Sequence, residues 1–196
     1  KIIVIHNGID MNKFQESSLE RINYRKKIKI KKNEILYGTV ARFDPSKDHF
    51  TLLKTINILR KNGLKFKYLL VGSNMDNSNK FITRIIKKYR LEDIVILRGK
   101  ENNISSVMNA LDLHVLTSQS EAFPNVVLES ISCGTPCIST NVGDVNKIIL
   151  DNDYIVDKGN PILLSEKIIK FSKLSNKIRE NLKVNSFKYI KSKFSI

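Results

Sequence analysis

Short apolar runs alternate with segments of helical periodicity along this chain, and this alternation restricts the fold more than any other feature of the sequence. The runs are continuous and rich in branched residues, which is typical of strands buried on both faces of a parallel sheet. They lie at residues 2–5, 35–41, 68–71, 94–97, 113–116 and 137–139, with a weaker one at 154–156.

The segments between these runs have the apolar spacing of helices. The clearest contains Leu52, Ile56 and Leu59 and is followed by Asn62-Gly63, a helix stop signal. Similar periods cover 81–89, 104–111 and 126–131, and after Asp157 the pattern is helical only. The sequence therefore predicts an α/β fold, a doubly wound, Rossmann-like parallel sheet of about six strands flanked by helices. A chain of 196 residues fits one such domain, and we interpret residues 1–196 as a fragment of a longer protein.

The loops that follow strands are the places to look for a ligand, because doubly wound sheets bind ligands beyond the carboxyl ends of their strands. The first such loop carries Arg42 and Lys47. A guanidinium fork and a compact ammonium together could neutralise a diphosphate. The alternative is that Arg42 makes a structural salt bridge and Lys47 is a solvated surface residue.

A second loop follows the 113–116 run and contains Glu121 and Pro124. Pro124 suits a first helical turn, whose free amides and positive dipole end can bind a phosphate. Glu129 is expected nearly two turns into that helix. Each carboxylate can accept hydrogen bonds from the vicinal hydroxyls of a ribose or a hexose. By spacing alone, however, the two glutamates could be a coincidence.

Weaker candidates follow elsewhere. Gly99 and Lys100 come after the 94–97 run, where a glycine would let a nucleotide base approach the backbone. We expect structural roles for His6, His49 and His114. Two cysteines without metal-ligand spacing predict buried free thiols, at positions 133 and 137.

The formal net charge of +15 would attract phosphates of any kind. Of the 34 basic residues, eight are Arg and 26 are Lys, spread over almost every segment. Base-edge recognition favours Arg, so nucleic acid is not an expected partner. A compositional bias or an anionic membrane surface explains the lysines better. No apolar run is long enough to span a bilayer, and we expect a cytoplasmic location, with peripheral association at the inner face of the membrane as an extension.

In their order along the chain, these segments resemble the carboxyl-terminal domain of glycosyltransferase family 4, whose members have the GT-B fold. The most specific match runs from Asp112 to Gly143, with two glutamates separated by seven residues. The resemblance covers roughly residues 3 to 190. The matching pieces are Val4-Ile5-His6-Asn7-Gly8-Ile9-Asp10, Val40-Ala41-Arg42-Phe43 with Lys47, Leu70-Val71-Gly72, Ile96-Leu97-Arg98-Gly99, Glu121-Ala122-Phe123-Pro124 with Glu129, and Gly134-Thr135-Pro136.

The resemblance implies roles for individual residues in binding a nucleotide-sugar donor. Arg42 and Lys47 would contact the diphosphate, Glu121 the sugar and Glu129 the ribose. The amides after Ala122 would contact the phosphates, and the base would border Gly99 and Lys100. Together, the catalytic candidates are Arg42, Lys47 and Glu121, and the donor-binding candidates are Gly99, Lys100, Ala122, Phe123, Pro124, Asn125 and Glu129. Three residues depart from the family pattern: Ala122 and Asp144, where Gly is common, and Lys147, where Glu is common.

The expected activity is transfer of a hexose from a nucleotide-diphosphate sugar, UDP being the expected nucleotide, with retention of configuration. The resemblance suggests surface polysaccharide or lipopolysaccharide biosynthesis. A glycan or lipid-linked acceptor would bind an amino-terminal domain that this chain lacks. No metal cofactor is expected, because the sequence has no Asp-x-Asp motif or His/Asp cluster. Two alternatives are a nucleotide-sugar epimerase of the same architecture and a non-catalytic basic module for anions or membranes.

Overall fold

The computed structural model describes residues 5–196 and contains one six-stranded sheet in which every strand pair is parallel. The prediction of a doubly wound α/β fold is thereby confirmed. Of the predicted strand at 2–5, residues 2–4 lie outside the described residues. The strands are β1 (Leu36–Val40), β2 (Lys67–Val71), β3 (Val95–Leu97), β4 (Leu113–Leu116), β5 (Cys137–Thr140) and β6 (Ile155–Val156).

Helices connect these strands and cover the sheet, and those predicted from apolar periodicity are present. The first and the sixth helix described below were not predicted. The helices are α1 (Ser18–Lys27), α2 (His49–Lys61), α3 (Lys80–Tyr89), α4 (Ile104–Ala110), α5 (Asn125–Ser132), α6 (Val145–Ile148), α7 (Pro161–Ser172) and α8 (Asn176–Phe194).

Polar side chains at the helix starts explain where most of these helices begin. Asp48 accepts a hydrogen bond from the amide of Thr51 at the start of α2, and Asn160 caps α7 in the same way. Gly134 follows the end of α5 with a positive φ of 73°, a conformation that suits glycine at a helix end.

The strand order is β3-β2-β1-β4-β5-β6, so the chain builds the sheet outward from β1 in one direction and then returns to β1 with β4. Neighbouring strands β1 and β4 therefore send their following helices in opposite directions, which opens a crevice beyond their carboxyl ends. Hydrophobic residues fill a separate core on each face of the sheet. The loops after Val40 and Leu116 meet at this crevice.

Two histidines are buried close to the crevice. His114, in β4, is fully buried, and burial lowers its pKa to about 3. Its Nε2 accepts a hydrogen bond from the amide of Val40, and its Nδ1 lies 3.3 Å from the Cys137 sulfur. His49 has a pKa lowered by burial and lies 3.0 Å from the carbonyl oxygen of Arg42. Both rings therefore stay neutral and fill internal space around the loop.

The cysteines are free and buried, as predicted. Burial raises the pKa of the Cys133 thiol to about 12 and raises that of Cys137 as well. A thiol needs to ionise to act as a nucleophile or metal ligand, so neither group is poised for such chemistry.

Candidate functional site

The loop after β1 is held in a single tight turn at the crevice. Asp44 accepts hydrogen bonds from the backbone and the hydroxyl of Ser46, which lower the pKa of its carboxyl to about 2. Lys47 closes this short 3-10 turn, and Asp48 follows it in the left-handed region with φ of 46° before capping α2. The turn therefore points Lys47 across to the neighbouring strand's loop.

Lys47 and Glu121 meet across the crevice. The Lys47 ammonium lies 2.5 Å from Glu121 Oε1, and the side chains are only 18% and 14% exposed. The hydroxyl of Ser118 also donates to Glu121 Oε1, at 2.7 Å. The alternative of a solvated surface lysine is wrong, since Lys47 is mostly covered and paired. Glu121 Oε2 has no hydrogen-bond partner among residues 5–196, so it is free to accept a hydrogen bond from a ligand.

Arg42 lies at the rim of the same loop with its side chain 66% exposed. Its Nε donates to the carboxylate of Asp44 at 3.3 Å, which is the structural salt bridge considered as an alternative from the sequence. That contact occupies one nitrogen and leaves the other end of the guanidinium fork facing solvent. A phosphate group in the crevice would compete with Asp44 for Arg42.

Thr117 and Gln119 of the β4 loop form hydrogen bonds with the β1 loop, through side chains and through the backbone. The Thr117 hydroxyl donates a hydrogen bond to the carbonyl oxygen of Lys47 at 2.9 Å. The backbone amide of Gln119 donates one to the carbonyl oxygen of Ser46 at 2.7 Å. The Gln119 side-chain amide also donates to Asp48. These contacts fix the distance between the two loops. They were not predicted, because nothing in the sequence pairs positions about 70 residues apart.

The start of α5 presents unpaired backbone amides beside Glu121. The N–H groups of Ala122, Phe123 and Val126 have no hydrogen-bond partner within the described part of the chain. The helix begins at Asn125, so Pro124 precedes it and does not stand in its first turn as predicted. The amide of Asn125 is occupied by the carbonyl of Phe123. The free amides, together with the positive helix end, could hold a phosphate.

Gly143 allows another loop to support this one at very short range. It has a φ of +48°, and a Cβ at this position would come within 2.3 Å of the Ala122 carbonyl oxygen and 2.4 Å of that of Glu121. The next residue, Asp144, donates its amide to Ala122 at 3.1 Å. A larger residue than glycine would displace the segment that carries Glu121.

Glu129 lies about one turn into α5, closer to its start than the nearly two turns predicted. It is partly buried, burial raises the pKa of its carboxyl, and Lys13 opposes that shift. No hydrogen bond to its carboxylate exists among residues 5–196. A partly desolvated carboxylate without a partner gains from a ligand that brings hydroxyl donors.

Gly99 is buried after β3, and Lys100 beside it is exposed. The Gly99 amide donates to Met75 at 2.7 Å and its carbonyl accepts from Gly72 at 2.8 Å. Because the Gly99 N–H is already used, a base approaching here would meet other groups. Gly72 in turn lies against Ala41, where a Cβ would come within 2.1 Å of the carbonyl oxygen. Close backbone contacts thus link this region to the Arg42 loop.

Residues near the beginning of the described chain pack onto the α5 start. The His6 ring stacks on Phe123 with centroids 5.3 Å apart, and the Asn7 side-chain amide donates to Asn125 Oδ1 at 3.0 Å.

Two of the residues that depart from the family pattern contact each other. The Lys147 ammonium lies 2.9 Å from the Asp144 carboxylate, and this contact lowers the pKa of the Asp144 carboxyl. The two unusual residues therefore form a partner pair at the surface.

Two further depressions lie away from the crevice. One, of about 320 Å³, is lined by residues around Arg21, Asp112 and Thr135, near the amino ends of β4 and β5, and contains none of the predicted site residues. The other, of about 710 Å³, lies along α1. Across residues 5–196, no three His, Cys, Asp or Glu side chains group as metal ligands, and none of the helices is long and apolar enough to cross a bilayer.

Comparison with known sequences assigns the chain to a family. Residues 20–189 match the sequence model of Glycosyl transferases group 1, and the chain belongs to that family. It is 33% identical over 109 residues to N-acetyl-alpha-D-glucosaminyl L-malate synthase of Bacillus anthracis, covering 55% of this chain and 28% of that protein. It is 29% identical over 159 residues to the UDP-Gal:alpha-D-GlcNAc-diphosphoundecaprenol alpha-1,3-galactosyltransferase of Escherichia coli. That match covers 79% of this chain and 40% of the Escherichia coli protein. The chain thus spans less than half the length of either relative.

Solved structures share the fold at low sequence identity. A glycosyltransferase from Rickettsia africae superposes with a TM-score of 0.90 at 22% identity, over all of this chain and 53% of the other. Anabaena Alr3699/HepE, solved in complex with UDP and glucose, superposes with a TM-score of 0.87 at 23% identity. The superposition covers 98% of this chain and 53% of the Anabaena chain. The C-terminal domain of a group 1 family protein from Francisella tularensis gives 0.82 at 21% identity, over 96% of this chain and 100% of that one. The predicted half of a GT-B fold is confirmed.

Proposed function

We propose that this domain binds the nucleotide-diphosphate sugar of a retaining glycosyltransferase in the crevice between β1 and β4. The observation that carries the proposal is the convergence of Lys47, Glu121 and the free amides of the α5 start on one point beyond the strand ends. Cationic and N–H donors suit a diphosphate, and an acceptor carboxylate suits a sugar hydroxyl.

Each group then has a distinct task. Arg42 and Lys47 bind the diphosphate oxygens, and the amides of Ala122 and Phe123 complete the set of donors. Glu121, through its unoccupied Oε2, accepts a hydrogen bond from a hydroxyl of the sugar. The contacts that join the two loops fix Lys47 and the segment before α5 in place before the reaction.

Donors fixed in this way favour departure of the nucleotide. As the bond between the anomeric carbon of the sugar and the diphosphate breaks, its electron pair goes to the leaving phosphate oxygen, where negative charge grows. An acceptor hydroxyl oxygen bonds to the same carbon and releases its proton. The preorganised cations and amides stabilise that charge, so no metal is needed in this proposal. Loss of one such donor typically reduces the rate about 10²–10³-fold.

Glu129 is the proposed partner of the ribose. Its partly buried carboxylate lacks a hydrogen-bond donor among the described residues, and a vicinal diol would supply two. We propose UDP as the nucleotide, a choice supported by the UDP complex of the Anabaena protein and by the UDP-galactose donor of the Escherichia coli relative.

The acceptor is proposed to bind outside this chain, across the crevice, on an amino-terminal domain. The Escherichia coli relative, by its name, acts on a diphosphoundecaprenol-linked sugar, which favours a lipid-linked sugar or glycan and a role in surface polysaccharide or lipopolysaccharide biosynthesis. Membership of the Glycosyl transferases group 1 family favours sugar transfer over epimerisation.

Calorimetric titration with UDP, GDP, ADP and inorganic pyrophosphate tests the donor site. Selective binding of UDP, weakened by Arg42→Ala and by Glu129→Ala, is the expected result. Lys61→Ala is a matched control, because Lys61 is an exposed cation at the end of α2. Equal and salt-sensitive binding of all four compounds, unchanged by Glu129→Ala, would mean that the crevice is only a basic surface.

A further inference from the structure

The segment from Arg21 to Asn33 is the most strongly basic stretch of the chain. It contains seven Lys or Arg residues among thirteen and no acidic residue. The helix α1 accounts for its first half, and the turn that leads into β1 for the rest. None of the residues in the proposed donor site belongs to it, so the crevice gives no reason for this concentration of charge.

Alternation of residue types places the lysines of this segment on the outside. Ile28 and Ile30 are buried, at 8% and 7% exposure, whereas Lys29, Lys31 and Lys32 are exposed. The isoleucines anchor the segment in the core below α1 and β1. Lys29 lies between the two isoleucines, Lys31 and Lys32 follow them, and all three lysines line one depression at the surface.

The same surface carries apolar side chains that have no place in the core. Leu19 and Ile22, three residues apart on α1, are 68% and 64% exposed. They lie on one side of the helix, because positions i and i+3 are neighbours on a helix surface. The other side of α1 packs on α4, where Tyr24 and Arg25 are buried.

Only some of the basic residues here are used for internal contacts. Arg21 and Arg25 bind Asp112, and Lys27 binds Glu101. The remaining four form no ion pair with any residue in the described range 5–196: Lys26, Lys29, Lys31 and Lys32. They line the depression of about 710 Å³ together with Ile22 and Ile30.

We propose that this surface, made of Leu19, Ile22 and the four lysines, docks on an anionic phospholipid bilayer. Lysine ammonium groups bind lipid phosphates without a fixed geometry, and their alkyl stems lie along the apolar boundary of the headgroups. Leu19 and Ile22 insert between the headgroups. An acidic protein would match the charge, but two protruding apolar side chains among exposed lysines fit a fluid surface better.

This proposal is independent of the donor site and gives a specific location to the membrane association expected from the lysine content. Interfacial binding of this kind depends on both charge and apolar insertion. It therefore weakens at high salt, and it also weakens when the apolar residues are removed at constant charge.

Sedimentation with vesicles of phosphatidylcholine, alone or mixed with phosphatidylglycerol, tests the proposal. The chain is expected to bind the mixed vesicles at low salt and to leave them at high salt. Changing Lys26, Lys29, Lys31 and Lys32 to Gln is expected to weaken binding by a factor of about 100 or more, from the typical contribution of a basic residue near anionic lipid.

A matched variant separates this surface from diffuse charge. It changes the same number of exposed lysines to Gln on α2, α3 and the intervening loop, at Lys61, Lys65, Lys87 and Lys88. We expect it to lose much less affinity. Equal loss in the two quadruple variants would overturn the proposal.

The apolar contribution has its own pair of variants. Leu19→Ser with Ile22→Ser is expected to weaken vesicle binding, whereas Leu150→Ser with Ile162→Ser, at comparably exposed positions, should leave it unchanged. Thermal unfolding of each variant checks that the fold is retained. Binding of a polyglutamate peptide without binding of mixed vesicles would overturn the proposal and indicate an acidic protein partner.

Discussion

The Lys47 ammonium lies 2.5 Å from Glu121 Oε1, and this contact joins the loops of two adjacent strands at the crevice. Both side chains are mostly covered, so each compensates for the lost hydration of the other. In the proposed donor complex the same groups also bind the diphosphate and the sugar. The contact therefore has a role in stability and a role in binding, and the two can be separated.

A double-mutant cycle on this pair is the first prediction. Lys47→Met and Glu121→Gln should each lower the free energy of unfolding by about 2 kcal/mol, because each leaves a covered partner without its contact. The double variant should lose less than the sum, with a coupling of about 1 kcal/mol. Urea unfolding measures the three values. Strict additivity would show that the contact contributes nothing to stability, and all three variants should bind UDP weakly.

The second prediction concerns the unpartnered carboxylate of Glu129. Burial raises the pKa of Glu129, so the carboxyl ionises less readily in the folded than in the unfolded state. Ionised Glu129 therefore lowers the free energy of unfolding, and this destabilisation is fully present above the raised pKa. Glu129→Gln should therefore raise the melting temperature at neutral pH while weakening UDP binding. Differential scanning calorimetry and titration test both effects. A variant that is less stable and binds UDP normally would contradict the assigned role.

Gly143 provides the third prediction. In Gly143→Ala the new methyl group would collide with the carbonyl oxygens of Glu121 and Ala122, at a backbone φ that already disfavours side chains. We expect a loss of about 3 kcal/mol in the free energy of unfolding and loss of UDP binding. Gly63→Ala is the control, because Gly63 also has a positive φ, of 76°, but a Cβ there would lie more than 4 Å from every non-adjacent residue in the described range 5–196. It should cost about 1 kcal/mol and leave UDP binding unchanged.

The fourth prediction is a dependence of stability on pH that arises from His114. Its folded pKa is about 3, below the ordinary value of 6.5, so the stability it contributes is fully present above pH 6.5 and declines as the pH falls toward 3. The slope should approach about 1.4 kcal/mol per pH unit in this window. Urea unfolding at several pH values should show a smaller slope for His114→Asn. An unchanged slope would assign the acid sensitivity to other groups, such as His49.

The sheet was predictable because its strands are buried on both faces, so their apolar runs are visible in the sequence. The helix α1 was not, since two of its apolar residues, Leu19 and Ile22, are exposed and one of its buried residues is Arg25. A helix held by polar contacts leaves no apolar period to recognise.

The candidate site shows the same division. Through the resemblance to a family, the spacing of Glu121 and Glu129 and the basic residues after β1 directed the prediction to two loops, and the structure brings these loops together at the crevice. Sequence alone could not show that Lys47 is covered and bound to Glu121, or that Gln119 contacts the opposite loop. Such contacts depend on which strands become neighbours.

The reversal of strand order beside β1 has a consequence for folding kinetics. Lys47 and Glu121 are 74 positions apart, so the crevice closes only after the chain has returned to pair β4 with β1. Contacts of such large sequence separation form slowly, because the chain loses the entropy of loop closure before the contact contributes any stabilising free energy. During synthesis, a nascent chain that has not yet completed β4 would carry the basic loop alone. If the crevice is the donor site proposed above, its selectivity for a nucleotide sugar over other phosphates arises late, once β4 has paired with β1.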